Sequence, residues 1–204
     1  MKKMKCIHPR KAFNLMQQFI DNANNLEYTY SFSPILNPYD DISDWKFGDE
    51  IEETCQIKVR LKKGDCFCAE GIDSLEEVED DTLTIKYNFD ELWDISAKIF
   101  RAYWTEKSPM LKGFSDITIS ILHELGHLET TEKIRPNFSI QQREELLEAL
   151  ENKYIDYKEL NYAYFEIPDE KLATEWAIEW LSNADNRKIA KTFEKKFFSC
   201  FAEI

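Results

Sequence analysis

His123-Glu124-Leu125-Gly126-His127 is the stretch that decides the reading of this chain. Residues four apart share one face of a helix, so both imidazoles can bind a single Zn²⁺ while Glu124, turned to the side, reaches a water on the metal as its general base. Two of the three histidines in the chain stand in this register. The local sequence predicts the helix: Ile117, Ile121, Leu125 and Leu128 recur at steps of three and four, and Ser115 and Asp116 are suited to its N-cap. Gly126 costs about 1 kcal/mol against Ala inside a helix, which predicts that a neighbouring strand or helix packs against this turn.

A catalytic zinc site takes three protein ligands and leaves one position open. In the metzincin pattern a Gly and a third His follow the second at fixed offsets. Here those positions hold Thr130 and Lys133, and no histidine follows His127. His8, beside Pro9 far upstream, reads as an exposed N-terminal residue. A carboxylate must then complete the set.

The segment Asp169 to Leu181 offers it, because its apolar residues at 172, 173, 176, 177, 180 and 181 form a helical stripe that starts at Pro168-Asp169. Turning the wheel by 100° per residue puts Glu170 at the edge of the buried stripe, with Glu175 and Glu179 toward its opposite border or solvent. Glu170 is the preferred third ligand and Glu175 the alternative.

These residues resemble the ImmA/IrrE-type zinc metallopeptidases, a family with an HELGH helix followed by a helix of the form E-x-x-A-N-x-F-A-x-x-L-L. The similarity runs over residues 115–181, from Ile119-Ser120-Ile121-Leu122 and the HELGH stretch to Glu170, Ala173, Trp176-Ala177 and Leu181. Thr174 stands where the family has Asn, Trp176 where it has Phe, and Ser182-Asn183 where Met-Pro often follows. The resemblance implies His123, His127 and Glu170 as zinc ligands, Glu124 as catalytic base, and site-specific cleavage of a regulatory protein.

The 204 residues, 43% hydrophobic, suffice for one domain with a sizeable core. A net charge of −13 argues against direct nucleic-acid binding and favours a basic peptide or protein, such as a basic regulator, as partner or substrate. Five cysteines without matched spacing read as reduced thiols, and Cys66-Phe67-Cys68 as alternating strand residues. The start of the chain lacks the apolar core of a signal peptide and no run approaches a membrane span, so a soluble, cytoplasmic protein is expected.

Periodicity predicts a helix over residues 10–24 with Phe13, Met16 and Ile20 inward. Three alternating segments follow, carrying Tyr28, Tyr30 and Phe32, then Cys55, Ile57, Val59 and Leu61, then Leu83, Ile85, Tyr87 and Phe89. A turn at Lys63-Gly64-Asp65 predicts a hairpin to a strand over 66–69. Residues 37–50 read as irregular and the acidic run over 76–81 as a solvated loop. Asp90 is read as the cap of a helix reaching Trp104, with Leu92, Ile95, Ile99, Ala102 and Tyr103 inward. After the HELGH helix come a charged helix from Ser139 to Tyr157, the ligand helix, and a last helix from Asn186 to Phe198.

The expected architecture is α+β and zincin-like: a small, mainly antiparallel sheet with helices, a sheet-bearing lobe over 1–112, a helical lobe over 113–204, and zinc in the cleft between them. The segment from Thr82 to Phe89 is a candidate edge on which extended substrate adds as a strand. Asp116, Thr174 and Asp185 are candidate partners for the histidine rings. Tyr154, Tyr157, Tyr162 and Tyr164 are candidate oxyanion donors, none of them singled out. The chemistry these parts support is hydrolysis of a peptide bond, with Glu124 taking the water's proton and returning it to the leaving amine. The other function class is a zincin-like binding protein without catalysis.

Overall fold

The computed structural model describes residues 4–32, 51–63, 68–69, 82–87 and 95–203. They form a mixed chain of helices and small sheets. In order these are β1 (Met4–Cys6), α1 (Pro9–Ala23), β2 (Glu27–Phe32), β3 (Ile51–Gln56), β4 (Lys58–Lys63), β5 (Cys68–Ala69), β6 (Thr82–Tyr87) and α2 (Ile95–Lys107). A 3₁₀ turn (Pro109–Gly113) leads to α3 (Asp116–Ile134), α4 (Ile140–Lys153), α5 (Tyr157–Tyr164), α6 (Pro168–Ser182), α7 (Ala184–Phe198) and β7 (Phe201–Glu203). The expectations for residues 37–50, 76–81, Asp90, Leu92 and Cys66-Phe67 lie outside the described residues.

Three ladders are antiparallel, β1 with β7, β2 with β3 and the two-residue β5 with β6, but the three-stranded sheet has the order β4-β6-β5 and its longer ladder, β4 with β6, is parallel. Two expectations are corrected by this order. β4 and β5 are not a hairpin, because β6 lies between them. And β6 is the middle strand of the sheet, flanked by β5 at Ile85 and Lys86, rather than its edge. Residues 64–81 separate β4 from β6, longer than the dozen or so that a parallel connection requires.

The outer edge of β4 is closed by α1: Gln17 donates to the Val59 carbonyl at 2.7 Å and accepts from the Leu61 N–H at 2.9 Å, and Asn24 donates to the Ile57 carbonyl at 2.7 Å. Side chains here satisfy backbone groups that would otherwise template another strand.

The core runs from α1 through the sheet to α3. Met16 and Ile20 of α1 share this core with Val59, Leu61, Leu83 and Ile85 of the sheet, Phe19 stacks on Phe193 of α7, and Phe13 is half-buried against Tyr87. α3 is buried nearly all round, at Ile117, Ile119, Ile121, Leu122, Leu125 and Leu128, as a helix inside a protein must be. In α2 the inward face is Phe100, Tyr103 and Trp104, while Ala102 is exposed. The three aromatics turn there to reach Phe165 and His123.

The charged helix expected from Ser139 to Tyr157 is two helices. Ser139 and Gln142 close a capping box at the start of α4, which ends at Lys153. Tyr154 is extended, and Asp156 then accepts from the Lys158 and Glu159 N–H groups to start α5. The start of α3 also differs. Ser115 is its N-cap residue but makes no capping bond through its side chain; instead Glu194 of α7 accepts from the Ser115 N–H, and from the Thr118 hydroxyl at 2.9 Å. No helix among the described residues is long and apolar enough to cross a membrane.

Candidate metal centre

α3 and α6 are packed closely against each other, and Gly126 is the reason they can be. A Cβ at this position would land on the Ala173 carbonyl, 2.9 Å from its carbon and 3.0 Å from the Ala173 Cα. The missing side chain lets the backbone of α6 lie directly on the turn between the two histidines.

That contact brings three donor atoms together. His123 Nε2 lies 3.1 Å from Glu170 Oε2 and 3.1 Å from His127 Nε2, and the remaining edge, His127 Nε2 to Glu170 Oε2, is 3.4 Å. Tetrahedral zinc with N and O ligands at 2.0–2.1 Å needs donors about 3.3–3.4 Å apart. One edge has that spacing and two are about 0.2–0.3 Å shorter, so His123, His127 and Glu170 form a group that could hold a metal ion with a small adjustment. Glu175 and Glu179 are exposed, and neither belongs to the group. Thr130 takes no part and donates to the Gly126 carbonyl.

The shell behind the donors fixes their orientation. His123 Nδ1 lies 2.7 Å from Thr174 Oγ1, and a proton held there leaves the Nε2 lone pair directed at the shared point. Thr174 is thus the one of the three candidate ring partners placed at the site. Asp116 instead pairs with Arg101, and Asp185 with Lys188. Glu170 is held by its other oxygen: Oε1 accepts from Arg143 Nη2 at 2.9 Å and from the Tyr164 hydroxyl at 2.5 Å. Arg143 also donates through Nε to Asp169 Oδ2 at 2.6 Å and through Nη2 to Tyr164 at 3.2 Å. Tyr164 therefore bonds to the candidate third ligand.

Neither Arg143 nor the tying of Tyr164 to Glu170 follows from periodicity. Arg143 sits among Glu144, Glu145 and Glu148 on what reads as a solvated charged helix.

The electrostatics agree with a cation at the centre. Burial opposes ionisation of Glu170, but the two histidines hold its carboxyl well below the usual range. Burial likewise disfavours a charged His127, yet the Glu170 carboxylate, with Glu124 and Asp169 behind it, holds the imidazolium up to about 9. A proton on His127 Nε2 faces two acceptors, His123 Nε2 and Glu170 Oε2. Burial and the negative charge of Glu170 push the Tyr164 hydroxyl far above its ordinary value, so it stays a donor.

Glu124 is half-buried, and its charge acts on both His127 and Tyr164, which puts it beside the donors on the flank of α3. Phe100, Trp104 and Phe165 wall the back of His123, with the Phe100 ring 5.0 Å from the imidazole. The His127 side chain keeps 20% of its surface exposed, against 5% for His123 and 4% for Glu170, so the centre opens on the His127 side. Comparison of the chain with protein-family models, with curated proteins and with solved structures finds no match.

Proposed function

We propose that this chain is a zinc-dependent metallopeptidase in which His123, His127 and Glu170 hold the metal and Glu124 is the general base. The observation that carries the reading is the 3.1, 3.1 and 3.4 Å triangle of donor atoms, set on a helix that places a carboxylate immediately after the first ligand. A purely structural zinc site is closed by four protein ligands and has no use for an adjacent base. The resemblance of the HELGH helix and the Glu170 helix to the ImmA/IrrE-type metallopeptidases supports the same reading.

Bound zinc supplies Lewis acidity that acidifies a water and polarises a carbonyl. The protein's own groups do the rest. Glu124 removes the proton from the attacking water and delivers it to the leaving amine. Thr174 keeps His123 in the tautomer that binds metal, and Arg143 with Tyr164 keeps one oxygen of Glu170 turned to it. The opening on the His127 side is where substrate enters. With a chain charge of −13, a basic regulatory protein is the favoured substrate class.

The test compares new protein N-termini in a lysate treated with zinc-loaded wild type and with Glu124→Gln. Termini produced by the wild type and absent with the variant support hydrolysis. Equal sets of termini with zinc retained in both proteins would contradict it and leave a metal-holding binding protein.

A further inference from the structure

α4 is attached to the body by little of its own packing: none of its residues is fully buried. One face nonetheless points at the metal centre, because Arg143 reaches Asp169 and Glu170 from it. Leu146, Leu147 and Leu150 stand three, four and seven residues further on, so they share that face, and all three stay partly exposed. Exposed apolar side chains concentrate on the same arm. Of the four large hydrophobic residues exposed among the described residues, Ile140, Ile155 and Tyr157 belong to α4, its end and the start of α5, and Ile155 is fully exposed. Partly exposed leucines on the helix that reaches the metal centre, next to exposed isoleucine and tyrosine, have the character of a binding surface.

The charge around this surface selects its occupant. Six exposed acids, Glu144, Glu145, Glu148, Glu151, Asp156 and Glu159, outnumber the two exposed lysines of the arm, Lys153 and Lys158, which lie over the Tyr154 and Tyr162 rings, and Arg143 is already committed to two carboxylates. A second copy of the chain would bring the same acids and a charge of −13 to the face, so self-association there is opposed. A segment with apolar side chains on one side and lysines or arginines on the other meets both the leucines and the acids.

We propose that the α4–α5 arm is the docking surface for a basic, amphipathic segment of the protein substrate, seated on Leu146, Leu147, Leu150 and Ile155 beside the metal centre. That the docked protein is a substrate rests on the peptidase reading; the docking itself does not. Contacts made on the arm lie outside the reacting atoms, so they select the protein to be cut while leaving the chemistry to Glu124 and the metal ligands.

The experiment uses the full chain as the Glu124→Gln variant, with and without zinc, and a short fluorescein-labelled peptide of leucines and lysines at helical spacing. A counterpart with glutamates for lysines is the control. The expected result is binding of the lysine peptide alone, with hydrogen-exchange protection over residues 140–158. The double substitution Leu147→Asn, Leu150→Asn should weaken it about tenfold or more, as loss of an apolar anchor does. Ile155→Ser, at a position with no packing to lose, should weaken it without any effect on folding.

Binding that survives both variants would be attraction to an acidic surface at large and would overturn the proposal. So would protection confined to other segments, absence of binding, or concentration-dependent self-association that the leucine variants abolish. Failure of the metal reading appears separately, as a chain that takes up no zinc while the peptide still binds the arm.

Discussion

Arg143 and Glu170 divide the work of one carboxylate: Arg143 Nη2 donates to Oε1 at 2.9 Å, and this leaves Oε2 3.1 Å from His123 Nε2. The same guanidinium bridges to Asp169, so one cation from α4 orients the candidate metal ligand and offsets two buried acids. Removing a group behind a metal ligand typically costs about 10–100-fold in metal affinity. Arg143→Met should lose zinc affinity on that scale and also lose stability, because two buried carboxylates are left without their cation. Arg143→Lys keeps the charge but not the planar fork, and should fall between the two. Competition with a chelator reads the affinities, and equal values in all three proteins would contradict this role.

Thr174→Val keeps the shape of the side chain and removes the oxygen 2.7 Å from His123 Nδ1. The account predicts a fall in zinc affinity of about 10–100-fold with the chain still folded. Affinity equal to wild type would mean that the ring needs no partner.

Gly126→Ala sets a helix-propensity gain of about 1 kcal/mol against overlap with backbone, where overpacking costs about 1–3 kcal/mol or more. The atoms in the way belong to the Ala173 main chain, which cannot rotate aside. Overlap should win: urea unfolding is expected to show a less stable protein with weakened zinc uptake. A variant that is more stable and binds zinc as before would refute the close approach of α3 and α6.

Glu194 caps α3 from a distance. Burial opposes its ionisation, but the Ser115 N–H, Lys191 and the Thr118 hydroxyl hold its pKa below the ordinary value of 4.5. A depressed carboxyl contributes stability that is present above pH 4.5 and lost as pH falls through its lower folded-state value. Glu194→Gln should therefore be less stable than wild type at neutral pH, with the gap closing in acid. Denaturant unfolding at several pH values checks this, and a gap independent of pH would rule out the charge as the cause.

In the zinc-free protein the His127 imidazolium persists up to about 9, so metal must displace a proton. Apparent zinc affinity should rise about tenfold per pH unit below that value and level off above it. The proton's own contribution to the metal-free fold runs in the opposite sense, being complete below the unfolded value of about 6.5 and lost as pH rises from there through about 9. Calorimetry in buffers of different ionisation enthalpy counts the released protons. Zinc uptake near neutral pH with no proton release would contradict the assignment.

Much of the centre is legible in the sequence because it is written in periodicity. The four-residue step from His123 to His127 and the stripe that places Glu170 beside Ala173 and Ala177 need only the helical repeat. Gly126 is legible for the same reason, since an unfavourable residue inside a helix calls for a neighbour. Arg143 and Glu194 are not legible, because a charged residue in a charged helix looks solvated until the fold supplies a distant carboxylate or a helix end. The sheet shows the same boundary. Alternation assigns Val59, Leu61, Leu83 and Ile85 to a buried face, but it carries no information on which strand lies beside which, so the parallel pairing of β4 with β6 is visible only in the fold.

Zinc stoichiometry of the purified full chain beside Glu170→Ala tests the central claim most directly. The account predicts about one zinc per chain in the wild type and little or none in the variant under the same conditions. Zinc held equally well after Glu170→Ala, or a wild-type chain that takes up none on reconstitution, would contradict the His123, His127 and Glu170 centre.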